Sequence, residues 1–256
     1  MPCFARACVE NDLGAGQDRR LAVWRNAEFN VESFEVAKTQ DCYMVKVAFE
    51  PIAEAALVSM TYEVYADGSI VLTESMTDAG KLDQMPMLPR FGLGFGMSGE
   101  YSTFEFFGLG PHENYIDRAS SALVGHYVQR VEDQYHYGYV RPQEPGTKTQ
   151  IKWMKVLDDN GAGLEIRSDV KFSASALPFN WKEMDVRVLG NNQAHSLELK
   201  RLAFENVRSL GKTWVNVDLA QMGLACINSW GAWPLEQHLV KAQPYEFKVM
   251  LKPVNN

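Results

Sequence analysis

Apolar and polar positions alternate with a period of two along most of this chain. Tyr43-Met-Val-Lys-Val-Ala-Phe49 sends its side chains to two faces in turn, the pattern of a strand with one side buried. Thr61–Tyr65 and Ser69–Thr73 flank Ala66-Asp67-Gly68, which predicts a hairpin because glycine takes the positive φ of the turn. Ile151–Leu157 and Leu164–Ser168 flank Asp158-Asp159-Asn160-Gly161 and predict a second hairpin. Thr213–Leu219 and Tyr245–Leu251 alternate again, and Pro253 is expected to end the last strand by removing a backbone donor. Within Gln193–Asn206, the spacing of Leu197, Leu199, Leu202 and Phe204 fits a helix or a strand equally well. The sequence has no long amphipathic helix, fixed-period repeat or low-complexity linker. The reading is therefore all-β: one large antiparallel sandwich comprising residues 1–256.

Composition narrows the function classes. The 256 residues are 46% hydrophobic and 22% charged, the profile of a globular chain with ample core. A net charge of −7 argues against nucleic-acid binding, which needs clustered cations to neutralise phosphates. It likewise gives no attraction to an anionic membrane surface. A neutral substrate fits best. No apolar run is long enough to span a bilayer, and Met1-Pro2-Cys3-Phe4 does not begin a signal peptide. Cys3, Cys8, Cys42 and Cys226 have no metal-ligand spacing and read as free thiols. That usage favours a cytoplasmic setting and leaves a periplasmic one open.

Three segments carry the chemistry. The first is Pro2-Cys-Phe-Ala-Arg-Ala-Cys-Val-Glu-Asn-Asp-Leu-Gly14. The second, Phe106-Phe-Gly-Leu-Gly-Pro-His-Glu-Asn-Tyr-Ile-Asp-Arg118, reads as a loop start marked by Gly108, Gly110 and Pro111, then a polar cluster. The third, Asp218-Leu-Ala-Gln-Met-Gly-Leu-Ala-Cys-Ile-Asn-Ser-Trp-Gly231, is a strand end running into a loop that presents an aromatic ring.

With Tyr139-Val-Arg-Pro-Gln-Glu144 between them, these segments resemble, in order and from end to end, the small domain of glycoside hydrolase family two β-galactosidases of the large bacterial type. The resemblance implies a supersandwich similar to galactose mutarotase. It places the catalytic glutamates, which in a retaining glycosidase lie ~5 Å apart, on a separate (β/α)8 barrel, so this chain supplies no catalytic residue. Any Mg or Na of the parent enzyme would bind mainly through barrel residues, and no cofactor or metal is expected here. The implied partners are that barrel, the other domains of the same enzyme and a β-galactoside substrate, within a homo-oligomer. Trp230 matches the family position that lines the sugar pocket, with Asn228 beside it as a second substrate-binding residue. An indole face suits the apolar C–H surface of a pyranose. The chain departs from the family at three places. Ala5 stands where the family has Trp, Ala225-Cys226 replaces Gly-Gly, and Glu144-Pro145-Gly146 replaces Glu-Asn-Gly.

Each candidate has a plainer alternative. Trp230 could be a core tryptophan, with Trp233 as the competing ring. Glu113 and Asp117 could be an acid–base pair, but a buried network with Asn114 and Arg118 that holds two loops together is favoured. His112 and His126 lack the neighbours of a metal site. Tyr135-His-Tyr-Gly-Tyr139 is either a sugar platform or a surface packed on a neighbouring domain. Gly92-Leu-Gly-Phe-Gly96 lacks the ending of a phosphate loop; the resemblance implies a mobile loop near the pocket at this place. Three functions follow: a non-catalytic part of a β-galactosidase, a carbohydrate-binding module, or a mutarotase-like epimerase. The last would use His112 with Glu113, although neighbours on a strand face opposite sides.

Overall fold

A computed structural model describes residues 1–136, 139, 142–184, 211–228 and 231–255. The ambiguous stretch 193–206 lies outside them. The described residues form eleven strands: β1 (Val31–Lys38), β2 (Cys42–Phe49), β3 (Ala56–Tyr65), β4 (Ile70–Asp78), β5 (Arg90–Ser98), β6 (Thr103–Gly110), β7 (Leu123–Arg130), β8 (Lys148–Leu157), β9 (Gly163–Leu177), β10 (Lys212–Gln221) and β11 (Tyr245–Val254). They join in the order β1-β2-β3-β4-β11-β9-β8-β6-β7, with β10 pairing to β9 and β5. Every described strand pairing is antiparallel. The fold is all-β, as the alternation predicts.

One long strand ties the layers together. Gly163–Arg167 of β9 pairs with β8 and β11, while Ser173–Leu177 pairs with β10. Register shifts around Ile151 bend β8 alongside it. The strands β5 and β10 thereby turn back over the main sheet: Phe91 of β5 stacks on Tyr245 of β11 at 5.0 Å. Phe91, Leu93, Val215 and Val217 share one buried cluster with Met60, Leu72, Phe247 and Val249. Each fully buried large side chain there contributes roughly 1.5–3 kcal/mol.

Two glycine-rich stretches are strands, contrary to the sequence reading. Gly92–Gly96 lies inside β5 because β10 runs close against it. A Cβ on Gly92 would sit 2.4 Å from the Val217 carbonyl oxygen. Likewise Gly108 and Gly110 continue β6, and a Cβ on Gly108 would meet Ile151 at 2.9 Å. The last strand also runs on through Pro253, which faces Leu164 of β9 beyond Leu251, the final residue paired to β4. A missing donor is tolerated where only one side of the strand is paired.

Short helical turns that the sequence did not reveal precede β1: α1 (Glu10–Gly14), α2 (Gln17–Arg20) and α3 (Ala22–Arg25). At four or five residues they are too short to register a 3.6-residue period. Asp12 accepts from the Val9 backbone N–H at 2.9 Å, holding the start of α1. Trp24 and Phe4, both buried, anchor the segment on Phe91.

Candidate functional site

The polar motif that follows β6 is a loop whose side chains hold the backbones of other segments. His112 and Glu113 lie in this loop and not on a strand. Glu113 accepts from Arg118 Nη2 at 3.0 Å, Tyr139 Oη at 2.9 Å and the Gly146 N–H at 2.8 Å. Asn114 is fully buried; it donates to the carbonyls of Leu109 and His112 and accepts from the Thr149 N–H. Asp117 accepts from the Ala225 N–H at 2.7 Å and lies so close to Gly223 that a Cβ there would clash with it. Glu113, Asn114 and Asp117 therefore reach three separate segments. Arg118, however, is exposed and not buried, and it covers the ring of Tyr115 at 4.9 Å.

The N-terminal segment grips the same neighbour from the other side. Arg6, buried, pairs with Asp12 and reaches the Gly223 carbonyl at 3.4 Å. Asn11 donates to the Ala232 carbonyl at 2.7 Å. Gly231 has φ 79° and abuts Gly14 so tightly that a Cβ would lie 2.2 Å from the Gly14 carbonyl carbon. The described residues 223–225 and 231–232 are thus clamped by Asp117, Arg6, Asn11 and Gly14. Ser229 and Trp230 lie outside the described residues. Asn228 is exposed and accepts from the Ala232 N–H at 3.2 Å. Ala225 and Cys226 both have left-handed φ, 58° and 64°, so they occupy backbone shapes that suit glycine. Trp233 is partly buried against the core, with the Arg20 guanidinium 5.9 Å from its ring centre.

Beneath these loops lies a buried ionic cluster that the sequence reading missed. Arg90 of β5 donates to Glu144 at 2.9 Å and lies 3.5 Å from Asp218 of β10. Gln221 and Thr147 also donate to Glu144. All five residues are buried. Burial pushes Asp218 up to about 7, with Arg90 opposing and Glu144 adding to the rise. Burial disfavours the Arg90 charge too, but Asp218 and Glu144 override it and hold its pKa above the usual value. Lys148, buried beside Glu113, is pushed down to about 8 by burial and donates to Gln134 and the Gly146 carbonyl. The signal for the Arg90 cluster was faint: Arg90 lies 54 residues from Glu144, with no motif at its own position.

The remaining candidates are dispersed. His112 is within 2.9 Å of Ser121, and His126 within 2.8 Å of Glu105. Tyr135 is buried edge-on against Phe179 at 5.0 Å, so it presents no open sugar platform. Tyr139 is tied to Glu113. Ala5, buried, lines a cavity of about 430 Å³ with Trp24, Trp181 and Trp214. Among the described residues no three His, Cys, Asp or Glu side chains gather as a metal site would need.

Comparison with known proteins gives this arrangement a context. A family model described as "Beta galactosidase small chain" matches residues 1–251. A β-galactosidase of Halalkalibacterium halodurans is 31% identical over 252 residues, covering 96% of this chain and 23% of that protein. One from Lactobacillus delbrueckii subsp. bulgaricus is 30% identical over 256 residues, covering 98% and 23%. The chain thus spans about a quarter of the length of these curated relatives. Among solved structures, a galactose mutarotase related enzyme from Lactobacillus acidophilus aligns over 90% of this chain and 72% of its own, at 7% identity and TM-score 0.39.

Proposed function

Because the chain belongs to the β-galactosidase small-chain family, we propose that it is the non-catalytic part of an enzyme that hydrolyses terminal β-D-galactosides. Its role is to complete the sugar pocket with Trp230 and Asn228. The catalytic carboxylates, and any Mg or Na, come from the remaining polypeptide; this chain holds no cofactor. The observation that supports this reading is the commitment of the two candidate carboxylates. Glu113 holds Arg118, Tyr139 and the Gly146 N–H, while Asp117 holds the Ala225 N–H. Both are engaged in holding neighbouring segments, a positioning role distinct from the proton transfer that glycoside cleavage needs. Asp117 is instead part of the clamp on the loop that leads to Trp230.

The chain purified alone should not hydrolyse nitrophenyl galactoside, and activity should appear when the rest of the enzyme is present. In that assembly Trp230→Ala should raise KM for galactosides. Turnover by residues 1–256 alone that scales with protein concentration would overturn the non-catalytic role. Unchanged kinetic constants in Trp230→Ala would remove the tryptophan from the pocket.

A further inference from the structure

Among the described residues, one flank of the sheet carries a core face with nothing over it. Residues paired across antiparallel strands point to the same side, so each register row can be followed from the middle of the sheet to its edge. One row runs Phe247–Glu74–Met60–Val47–Phe34, and the next runs Val249–Leu72–Tyr62–Val45–Val36. Phe247, Met60, Val249 and Leu72 are buried in the core. Val47 and Tyr62 are partly buried, and at the edge Phe34 and Val36 are 62% and 58% exposed. Apart from Glu74, the same face thus stays apolar while its cover runs out. The opposite face differs: the row between them, Lys248–Thr73–Thr61–Lys46–Glu35, is polar throughout. This is the alternation of a strand with one buried side, on a strand whose eight residues are all exposed.

We infer that the β1–β2 shelf centred on Phe34 and Val36 is the docking surface for the remaining polypeptide of the same β-galactosidase. The inference rests on the reading proposed above. Two observations select that occupant. The shelf continues the chain's own core, so its partner extends that core as a domain neighbour does. The relatives carry about three quarters of their length outside the matched part. With Val31 and Tyr43 at 58% and 51% exposure, the shelf offers roughly 400 Å² of apolar surface, the size of the largest patch on a typical single chain, which is often functional.

The test compares the wild-type chain with Phe34→Asp/Val36→Asp and with an opposite-face control, Glu35→Lys. Each is mixed with the rest of the enzyme, and association is followed by sedimentation alongside nitrophenyl galactoside hydrolysis. The double variant should bind roughly 100-fold more weakly, as expected for carboxylates placed at the centre of an apolar contact. The control should bind as wild type, and the isolated chains should melt alike. Wild-type binding retained by the double variant would overturn the shelf and leave the proposed function standing. Failure of the wild-type chain to bind or restore activity would instead remove the proposed function on which the shelf depends. Two further results would also overturn the docking assignment. Self-association of the wild type that the double variant abolishes would make a second copy the occupant. A melting temperature lowered by the double substitution in the isolated chain would mean that the chain covers this face itself.

Discussion

Glu74 is fully buried on the core face of β4, in line with Met60 and Phe247 on the neighbouring strands. Neither of its carboxyl oxygens accepts a hydrogen bond. Burial holds its pKa well above the usual carboxylate value; the Met1 amine pulls it down and Asp218 pushes it further up. Replacing it by methionine, similar in length and apolar, removes the unmet polar group. An unsatisfied buried polar group costs about 1–3 kcal/mol, and a domain of this size gains about 2–4 °C in melting temperature per kcal/mol. Glu74→Met should therefore melt roughly 2–12 °C higher at pH 7. The pH dependence follows from the direction of the shift. A raised folded-state pKa means that the native state holds its proton more tightly than the unfolded chain. That contribution is complete below the unfolded value of about 4.3 and is lost as pH rises through the folded value. The advantage of Glu74→Met should therefore grow from pH 5 to pH 9, read by circular dichroism melts in matched buffers. A variant less stable than wild type across that range would refute the reasoning, because the carboxyl would then be making an interaction worth more than its burial costs.

The other stability predictions use the same assay. Arg90→Met leaves Glu144 and Asp218 facing each other without a cation, a change that costs about 3–5 kcal/mol when a buried pair is broken from one side. It should lower the melting temperature by roughly 10 °C; a loss of under 2 °C would mean that the cluster relaxes freely. Asp218→Asn should flatten the decline in stability between about pH 4 and 7, since the raised pKa of Asp218 makes the wild type lose stability as pH climbs through that window. An unchanged pH profile would assign the titration elsewhere. Ala225→Gly/Cys226→Gly relieves two left-handed φ values and should stabilise the chain by about 1 kcal/mol after the added unfolded-state freedom of glycine is offset. A less stable double variant would show that the two side chains pack usefully.

What could be read in the sequence, and what could not, divides along physical lines. Strands with β-branched or aromatic residues on one face announced themselves, as in β2, β3 and β8, because period-two burial is a local property. The strands β5 and β6 did not. Gly92, Gly94, Gly96, Gly108 and Gly110 look like loop residues, whereas Gly92 and Gly108 at least are required by the close approach of β10 and of Ile151. That demand comes from strands remote in sequence. Arg90 was invisible for the same reason, since its partners on β10 and in the 144–147 segment are joined only by the fold. The opposite case is the 112–118 motif. Glu113, Asn114 and Asp117 could be picked out as a polar cluster because several such residues rarely crowd one short stretch. Their partners at 139–149 and 223–225 emerged only in the fold.

These loop contacts carry a prediction that separates positioning from packing. The Asp117 carboxylate holds the Ala225 N–H, five residues before Trp230. If its role is to place that loop, Asp117→Ala should raise KM for galactosides in the assembled enzyme, while Asp117→Asn, which keeps an acceptor oxygen, should recover most of the loss. Losing a charged hydrogen-bond partner is worth about 1.5–3 kcal/mol, so a KM increase of roughly 10- to 100-fold is the ceiling. The decisive measurement is the double variant. With Trp230 already removed, deleting Asp117 should cost much less, because both changes then act through one contact and their effects cannot add. Fully additive effects on KM would separate Asp117 from Trp230. An equal loss of kcat with KM unmoved would point to general destabilisation, which melts of the same variants would expose. Non-additivity in KM, together with rescue by asparagine, is the signature of a carboxylate that acts by positioning the loop that leads to Trp230.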